Sequence, residues 1–260
     1  MKKISAVLIT YNEEEKIERA LKSLEKVSDE ILVVDSYSTD STPEICRQYA
    51  TRLIQRSWQG YRIQKQFATE QAQYSWILNL DADEMLSPEL AQEILTWKNL
   101  PSLHQGYFFP RKTFFMGRWI SHTTWYPDWQ LRLFKRNYGC WKGGRVHEFF
   151  QVAGSTAKFN GRIYHHTYSS SSEYLQQLDN FSALAARDYL DHGKKTSWYH
   201  FCLYPPAVFL KNYVIKLGFL DGIPGLFVSI LAAISTLFKY WKLWELQSQT
   251  KSKLSYRFPK

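Results

Sequence analysis

Three carboxylates stand together directly after an apolar segment in the first half of the chain. Residues 76–84 read W-I-L-N-L-D-A-D-E, so Asp81, Asp83 and Glu84 follow a run of the length of one buried strand. Residues i and i+2 of an extended segment point the same way, and we therefore expect Asp81 and Asp83 to face one cation or one phosphate. Carboxylates this close repel each other unless a hard cation or strong donors hold them. A solvated acidic turn would show the same short motif, so the surrounding elements decide between the two interpretations.

Polar groups also end two earlier predicted strands. Residues 3–10 predict a buried strand whose end carries T-Y-N-E at residues 10–13. Residues 31–34 predict a second strand that ends in Asp35, with Asp40 in the loop after it. Ligands of open α/β sheets bind at the edge formed by the carboxyl ends of the strands. Neither G-x-G-x-x-G nor G-x-x-x-x-G-K-[ST] occurs, so a nucleotide here would be held by carboxylates, backbone and a metal ion instead of a glycine loop.

Strands and helices alternate over about the first hundred residues. Asn12 is a good helix N-cap, and residues 17–24 carry the apolar stripe of a helix that lies on a sheet. The pairs Thr42-Pro43 and Ser87-Pro88 predict two further helix starts. The remaining predicted elements are two strands and a helix, at residues 52–55, 76–80 and 63–73. This alternation predicts an α/β fold with a mostly parallel, right-handed βαβ sheet flanked by helices.

The composition changes after Gly106. Residues 107–119 and 130–135 are rich in aromatic residues and arginine, and they predict mixed strands. A serine run at residues 169–172 predicts a boundary and the cap of a helix over residues 173–191. We therefore expect mixed strand pairing after the parallel sheet, followed by a helical C-terminal part.

The composition is that of a globular protein from a reducing compartment. Of 260 residues, 45% are hydrophobic, and 10 Trp, 17 Tyr and 16 Phe suit stacking on sugars or bases, or a membrane interface. Cys46, Cys140 and Cys202 are widely separated, which favours neither a disulfide framework nor a zinc site. The apolar run at residues 6–9 is too short for a signal peptide, so export is not expected.

The positive charge is concentrated towards the C-terminus. Residues 1–190 hold 23 Lys and Arg against 21 Asp and Glu, whereas residues 191–260 hold 10 against 3. Residues 223–238 are uncharged, and lysines, a tyrosine and tryptophans follow them at once. Because this run is shorter than the ~20 residues of a bilayer span, we expect an amphipathic or shallowly inserted segment on an anionic membrane surface. A hydrophobic core helix or a dimer face is the alternative.

Several ordered motifs resemble those of one transferase family. T-Y-N-E, then V-V-D-S-x-S-x-D, then W-I-L-N-L-D-A-D-E resemble the inverting family 2 glycosyltransferases of GT-A fold, over about residues 3–110. The rest of the chain carries Y-P-D-W-Q-x-R-L-F, V-H-E, G-F-L-D-G-I-P-G and K-Y-x-K-L-W-E-L. This second set resembles a narrower group, the bacterial β-1,4-glucosyltransferases that add glucose to the inner-core heptose of lipopolysaccharide or lipooligosaccharide.

The resemblance implies a nucleotide-sugar site in the first half. It assigns to that site Thr10, Tyr11, Asn12, Glu13, Asp35, Asp40, Lys65, Asp81 and Asp83. Asp35 is expected to hydrogen-bond the base, and Lys65 or Arg62 to touch phosphate, although a basic helix surface would explain both. Asp83 is expected to bind Mn²⁺ or Mg²⁺, with Asp81 facing the metal or the ribose, because oxygen ligands suit these hard cations.

Inversion requires one general base, which takes a proton as the acceptor hydroxyl attacks the anomeric carbon. Asp128 precedes R-L-F as the family's base precedes its own arginine, although many relatives have Glu-Asp where this chain has Pro127-Asp128. Glu148 in V-H-E is the rival for this role. Arg132 is expected to orient a carboxylate or phosphate, or to form a structural ion pair. His166 is a candidate further metal ligand, although a lone histidine is more often structural.

The resemblance therefore implies a metal-dependent hexosyltransferase, cytoplasmic and peripheral on the inner face of the plasma membrane. UDP-glucose would donate to a heptose or another sugar of a lipid-anchored lipopolysaccharide core acceptor. The expected parts are a nucleotide-sugar-binding half, an acceptor-binding half and a helical, basic, membrane-associating tail, at residues 1–110, 111–170 and 171–260.

Two alternatives stay open from the sequence. A polyprenyl-phosphate sugar synthase would share the nucleotide half. A non-catalytic nucleic-acid-binding protein would explain the basic balance and the aromatics. However, the basic residues gather beside an apolar run instead of interleaving with aromatics on a polar face, so no nucleic-acid partner is expected.

Overall fold

The computed structural model describes most of the chain as two compact units. The described residues are 1–145, 148–166 and 170–257, with side chains through residue 249. The first unit comprises residues 1–119, 126–143 and 148–166. The second unit comprises residues 120–125, 144–145 and 170–257.

The first unit contains the strands and four of the helices that the structure describes. The strands are β1 (Ile4–Thr10), β2 (Glu30–Asp35), β3 (Arg52–Gln55), β4 (Trp76–Asn79), β5 (Glu84–Leu86), β6 (Gly106–Phe115), β7 (Arg118–Trp119), β8 (Asp128–Lys135), β9 (Gly139–Gly143), β10 (Glu148–Val152), β11 (Thr156–Lys158) and β12 (Ile163–His165). The helices are α1 (Ile17–Leu24), α2 (Thr42–Tyr49), α3 (Tyr61–Gln71) and α4 (Pro88–Asn99).

The first half of the sheet is parallel, as the alternation predicts. Its strand order is β3-β2-β1-β4, and every residue of β1, β2 and β4 is buried. Such strands need cover on both faces. Helices α1 and α4 pack on one face through Leu21 and Ile94, while α3 packs on the other through Ala68, beside Trp141 and Phe150 of the β9–β10 hairpin. The α/β prediction is confirmed.

The second half of the sheet is mixed. Strand β8 lies antiparallel between β4 and β6, and β12 joins β6 to β5. Because β8 is antiparallel to β4, the first residues of β8 lie at the edge of the sheet where β4 ends. The second half of the chain therefore supplies side chains to the same edge as the parallel strands.

Two predicted helix caps had different outcomes. Ser87 caps α4, since its hydroxyl oxygen accepts a hydrogen bond from Leu90 N at 3.1 Å. The prediction that Asn12 caps a helix is wrong, because α1 begins only at Ile17. Asn12 instead adopts a positive φ of 53°, and its side chain turns to the loop after β2, where it accepts from Thr39 N.

The second unit is helical. It contains α5 (Ser171–Asp191), α6 (Trp198–Cys202), α7 (Tyr204–Leu210) and α8 (Gly222–Arg257). Ser170 caps α5 by accepting from Glu173 N, as the serine run predicts, while Ser169 lies outside the described residues. The later part of α8 packs on α5 around Ala186 and Tyr240.

The short segment at residues 120–125 is tied into the second unit by two buried polar side chains. The Asp221 carboxylate accepts from Ser121 N, His122 N and His122 Nδ1. Asn212 Oδ1 accepts from both the backbone N and the hydroxyl of Thr124. The turns before α8 therefore have fixed positions relative to this segment.

The three cysteines differ in their surroundings, and this difference gives a first test. Cys46 in α2 is fully buried, whereas Cys140 and Cys202 are exposed. Burial, together with the charge of Asp35, raises the pKa of the Cys46 thiol to about 12. We expect two thiols of the native protein to react with a disulfide reagent at pH 8, and the third only after unfolding. Thiol titration with and without guanidinium chloride measures this, and three fast native thiols would contradict it.

Candidate active site

The loops after β1 and β2 hold each other at the carboxyl edge of the sheet. Asn12 N donates to Ser38 Oγ at 2.9 Å, and Asn12 Oδ1 accepts from Thr39 N at 2.8 Å. Asp40 accepts from Thr42 N at 3.0 Å and from Glu14 N at 3.2 Å. These contacts give Asn12 and Asp40 a structural function in the loops, whatever they contribute to ligand binding.

The end of β1 leaves one polar atom without a partner. Among the described residues, Thr10 Oγ1 is buried and makes no hydrogen bond. Tyr11, the next residue, is 55% exposed. Glu13 N donates to Thr42 Oγ1, and the Glu13 carboxylate lies 3.7 Å from Lys16 Nζ. An unsatisfied buried hydroxyl beside an exposed aromatic ring has the chemistry of a ligand-binding position.

Asp35 is enclosed at the end of β2. It is fully buried, and its carboxylate accepts from Ser38 N, Ser38 Oγ and Gln55 Nε2. Gln64 of α3 lies close by, since its Nε2 donates to Ser36 Oγ at 3.2 Å. Among the described residues, Gln64 Oε1 is another buried atom without a partner. The contact of Asp35 with a base stays a prediction.

Asp81 and Asp83 lie on a turn between β4 and β5, where Glu84 N donates to Asp81 O at 3.0 Å. The expectation of an extended segment is wrong at this point, because the turn directs the two carboxylates to different partners. Asp81 lies 2.8 Å from Lys65 Nζ and 2.5 Å from Arg132 Nη2. Asp83 Oδ2 lies 3.1 Å from His165 Nε2.

A chain of buried ion pairs extends from Asp81 along the sheet edge. Arg132 Nη2 also contacts Glu84 Oε1 at 2.6 Å, and Glu84 is 1% exposed. Arg111 lies 3.0 Å from the same Glu84 oxygen and donates to Asp128 Oδ2 through Nε and Nη2, at 2.9 and 2.6 Å. Arg132 thus forms a structural ion pair with two carboxylates, and Arg111 orients Asp128.

Lys65 joins the second base candidate to the same network. Its ammonium lies 2.8 Å from both Asp81 Oδ1 and Glu148 Oε1. Lys65 itself is 4% exposed, so it has little contact with solvent. The structure therefore brings together the acidic turn and the base candidates Asp128 and Glu148 around three cations. Val146 and His147 of the V-H-E motif lie outside the described residues.

The cations determine the protonation of this network. Burial raises the pKa of Asp81, but the charges of Arg132 and Lys65 outweigh burial and hold that pKa well below its usual range. Burial lowers the pKa of Arg132, but Asp81 and Glu84 outweigh burial and the net pKa is raised. Charge–charge attraction therefore keeps Asp81 ionised despite its burial.

His165 and His166 have different surroundings. His165 faces the Asp83 carboxylate, and its Nδ1 lies 3.2 Å from Thr113 Oγ1. The ring of His166 packs against Phe114 and Trp119, with centroid distances of 5.4 and 5.2 Å. Burial lowers the pKa of His166. His166 N donates to Asp83 O, so its backbone is close to Asp83 while its ring packs among aromatics. The remaining two residues of Y-H-H-T-Y, Thr167 and Tyr168, lie outside the described residues.

The two aspartates of the acidic turn differ in whether a carboxylate oxygen is available to a divalent cation. Among the described residues, no group of three or more His, Cys, Asp and Glu side chains forms a metal cage. Mg²⁺ in nucleotide sites is commonly held by one or two carboxylates together with phosphate oxygens. Asp83 matches this requirement, since the residues that the structure describes make no hydrogen bond to its Oδ1. Asp81 has both oxygens occupied by cationic side chains.

The sequence reasoning missed three residues of this site. They are Arg111 on Asp128, His165 on Asp83, and Tyr61 at the start of α3. Burial, then the charges of Glu148, Asp81 and Asp83, raise the pKa of Tyr61 to about 12, which keeps its hydroxyl protonated. Gly60, with a φ of 101°, starts α3 in a conformation that favours glycine. That glycine just before a helix was the available signal for Tyr61.

The parallel βαβ half, the mixed second half and the helical C-terminal region define an α/β protein of GT-A fold, with its charged groups at the carboxyl edge of the sheet. Residues 5–154 match the family model described as glycosyl transferase family 2. The chain belongs to that family. Its fold, its acidic turn and its sequence motifs agree on this assignment.

Relatives of the chain extend over almost its whole length. An uncharacterised glycosyltransferase of Rickettsia typhi (strain ATCC VR-144 / Wilmington) is 30% identical, covering 97% of this chain and 90% of the relative. The lipopolysaccharide core biosynthesis glycosyltransferase LpsC of Rhizobium meliloti (strain 1021) is 27% identical, covering 93% and 92%. Among solved structures, S. aureus TarS 1-349 is 14% identical with a TM-score of 0.46, covering 95% and 92%.

Arg132 gives a test of the network through stability. Removing one partner of a buried ion pair leaves the other charge uncompensated, at a cost of about 3–5 kcal/mol. We expect Arg132→Met to lower the free energy of unfolding by that amount, and Arg132→Lys by less, because a lysine keeps the charge but loses the fork of donors. Urea unfolding followed by circular dichroism measures both.

The control for this test is an exposed ion pair in the same unit. Lys22 and Glu18 lie 2.8 Å apart on α1 with about half of each side chain exposed. Lys22→Met should leave the urea midpoint unchanged within error. Equal stability of Arg132→Met and the wild type would show that the network does not support the fold.

Proposed function

We propose that this chain is an inverting, metal-dependent glucosyltransferase that acts on a lipopolysaccharide core. UDP-glucose is the proposed donor, and a heptose or another sugar of a lipid-anchored core is the proposed acceptor. The observation that carries the proposal is the acidic turn of a family 2 chain, whose Asp81 is held ionised by Lys65 and Arg132 beside the two base candidates. The LpsC relative is a glycosyltransferase of lipopolysaccharide core biosynthesis, which supports the choice of acceptor.

The nucleotide sugar is proposed to bind across residues 1–110. The buried Thr10 hydroxyl, which lacks a partner among the described residues, would complete its hydrogen bonding on the nucleotide. Tyr11 is exposed and available to stack on a flat ring. Asp35 would exchange one of its present donors for a base N–H, since all its described partners are polar groups of neighbouring loops and strands.

Asp83 is proposed to hold the cation that accompanies the diphosphate, with Asp81 close to it. When bound, Mn²⁺ or Mg²⁺ would offset the negative charge that builds on the departing diphosphate. His165 fixes the Asp83 carboxylate at 3.1 Å, and Lys65 and Arg132 keep Asp81 ionised. His166 stays a candidate ligand of the same cation, because its backbone N donates a hydrogen bond to Asp83 O.

Asp128 is the proposed general base, within an acceptor-binding half at residues 111–170. The acceptor hydroxyl would attack the anomeric carbon as the bond to the diphosphate breaks, and the carboxylate would take the hydroxyl proton. The Asp128 side chain is 30% exposed, whereas that of Glu148 is 10% exposed and paired with the buried Lys65. An acceptor can therefore reach Asp128 more easily, while Arg111 and Gln130 hold its orientation.

Residues 171–260 are proposed to hold the enzyme on the inner face of the plasma membrane. The net charge of this tail is strongly positive, and anionic headgroups attract basic segments by about 1 kcal/mol for each lysine or arginine at the surface. Among the described residues, one helical segment, Gly218–Gln249, has the length and apolar composition of a membrane span. A lipid-anchored acceptor lies at the same surface, which supports this location.

Donor and metal are tested by thermal shift with UDP, GDP, NAD and UDP-glucose, each with and without Mn²⁺. A ligand that binds only the folded state stabilises it by ~2.7 kcal/mol at a hundredfold excess over its Kd. We expect stabilisation by UDP and UDP-glucose that requires the metal. Asp83→Asn should fold normally but lose the metal-dependent shift and the transfer activity.

The matched control is Glu44→Gln, which removes a carboxylate that is 62% exposed on α2. Its nucleotide response should equal that of the wild type. An active Asp83→Asn variant would overturn the metal assignment. No shift with any nucleotide, in protein shown to be folded, would overturn the donor assignment and favour a binding module without catalysis.

The base is tested by comparing Asp128→Asn with Glu148→Gln. Positioned general bases contribute about 10²–10⁴-fold to rate, so Asp128→Asn should lower kcat by that factor while the Kd for UDP stays unchanged. Transfer of radiolabelled glucose to purified core lipopolysaccharide measures kcat. A larger loss in Glu148→Gln would assign the base to Glu148. Transfer to polyprenyl phosphate alone would instead indicate a sugar-phosphate synthase.

A further inference from the structure

Residues 203–227 form a helical hairpin that exposes many large apolar side chains. This hairpin, named here the α7–α8 hairpin, comprises α7, a π-helical turn at Lys211–Ile215, a 3-10 turn at Gly218–Asp221 and the first turns of α8. Its exposed apolar residues are Leu203, Tyr204, Leu210, Val214, Ile215, Leu217, Phe219, Leu220, Ile223 and Phe227. Such a concentration of exposed large apolar side chains within one short segment marks an interaction site.

The hairpin presents this surface on a fixed backbone. Asp221 and Asn212 are each 1% exposed, and both are bonded to the segment at residues 120–125. Gly218 and Gly225 allow close contact, since a Cβ on Gly225 would lie 1.9 Å from Gly218 O. The polar groups of the turn therefore point inwards, while the apolar side chains point out.

The charges of the hairpin are of one sign at its surface. Between residues 203 and 238 the charged residues are Lys211, Lys216 and Asp221. Both lysines are exposed, whereas Asp221 is buried and bonded to His122. Lysine side chains extend along apolar surface and keep their ammonium groups at the polar boundary. An apolar surface with exposed lysines and no exposed acid complements an anionic lipid surface.

An apolar groove lies between the two arms of the hairpin. It encloses about 400 Å³ and is lined by Pro205, Pro206, Phe209, Leu210, Ile230, Ala233 and Ile234. Apolar grooves of this size accommodate hydrocarbon ligands. The groove continues the exposed apolar surface along the arms, because Leu210 belongs to both.

The later part of α8 is already occupied by protein contacts. Tyr240 and Leu243 are buried against α5, and Lys242 Nζ lies 2.6 Å from the Asp179 carboxylate. A crossing of about 20 residues from Gly222 would end near Trp241, within the part of α8 that packs on α5. One side of the later part of α8 is thus covered by α5, while Trp241 and Trp244 on the same helix are 49% and 52% exposed. This partial cover by protein favours shallow insertion over a span.

We propose that the α7–α8 hairpin inserts into one leaflet of an anionic bilayer, with Lys211 and Lys216 at the headgroups and acyl chains in the groove. This inference rests on the membrane location in the proposed function and names the element that enters. It assigns retention to the turns before α8, and not to the Lys- and Trp-rich residues 239–244. Insertion of this depth, about 5–10 Å, is that of monotopic proteins.

The test is flotation of the full chain with vesicles of phosphatidylcholine alone or with 30% phosphatidylglycerol. We expect at least tenfold tighter binding to the anionic vesicles, and binding that persists in part at 0.5 M NaCl because apolar burial is not screened. Ile215 and Ile223 are 73% and 67% exposed, so their replacement leaves the core intact. The double variant Ile215→Glu, Ile223→Glu should bind at least tenfold more weakly.

The matched control is the double variant Leu100→Glu, Leu103→Glu, which places the same two charges on leucines that are 54% and 77% exposed in the first unit. It should bind vesicles like the wild type. Wild-type binding by the double variant would overturn the inference, as would complete release at high salt, which indicates surface adsorption alone. A wild-type dimer in sedimentation that the double variant abolishes would assign the hairpin to a second copy of the chain instead.

The same variant separates this inference from the proposed transfer reaction. The double variant should keep the metal-dependent thermal shift with UDP, because neither isoleucine belongs to the nucleotide site. A wild type that binds no vesicles but responds to UDP would overturn the hairpin inference and the membrane location, and would leave the donor assignment standing. Vesicle binding by a wild type that does not respond to UDP would overturn the donor assignment and leave the hairpin inference standing.

Discussion

The attraction between three cations, two of them buried, and four carboxylates is the constraint on which this site depends. Lys65, Arg132 and Arg111 alternate with Glu148, Asp81, Glu84 and Asp128 in one chain of contacts between 2.5 and 3.0 Å. Without the cations, so many acids at one sheet edge would repel each other or take up protons. With them, Asp81 stays ionised although it is desolvated. The acidic motif is thus stable before any ligand binds.

The mixed second half of the sheet supplies the arginines of this network. Parallel strands supply the acidic turn, but the arginines come from β6 and β8, which run antiparallel to each other. Since β8 pairs with β4, Arg132 lies beside Asn79, whose Oδ1 accepts from it at 3.1 Å. The buried Nε of Arg132 has no hydrogen-bond partner among the described residues. Fixing the acidic turn therefore leaves buried donor capacity at the edge where a phosphorylated ligand would bind.

Sequence patterns predict the parallel half well, because its strands are continuous apolar runs with polar ends. The ends of β1, β2 and β4 were expected at one edge, and the structure has them there. The pairing of Arg111 with Asp128 was not accessible in this way. A bulge at Tyr107 and Phe108 shifts the register of β6 against β8, so alternation along β6 does not give its partners. A tertiary contact of this kind is set by register, not by local spacing.

The two adjacent histidines also show that local spacing in the sequence does not determine which side chain makes a tertiary contact. His165 and His166 differ in environment only because His165 pairs with Glu84 in register between β12 and β5, which turns its ring to Asp83. The acidic turn similarly differs from an extended strand end, since the hydrogen bond of Glu84 N to Asp81 O reverses the chain. Motifs therefore identify the acidic turn and the neighbourhood of its partners, while register and turn type decide which side chain makes each contact.

Charge is distributed differently in the transferase site and in the helical C-terminal part of this chain. In the first unit, the buried cations are paired with acids, and residues 1–190 have a net charge of only +2. The excess of +7 in residues 191–260 has few acids to neutralise it, and Asp221, one of those three acids, is buried in the fold. Charge that is compensated internally has little long-range field, whereas uncompensated charge attracts anionic surfaces over a Debye length. The uncompensated positive charge is therefore a property of the helical C-terminal part and does not depend on the charges of the transferase site.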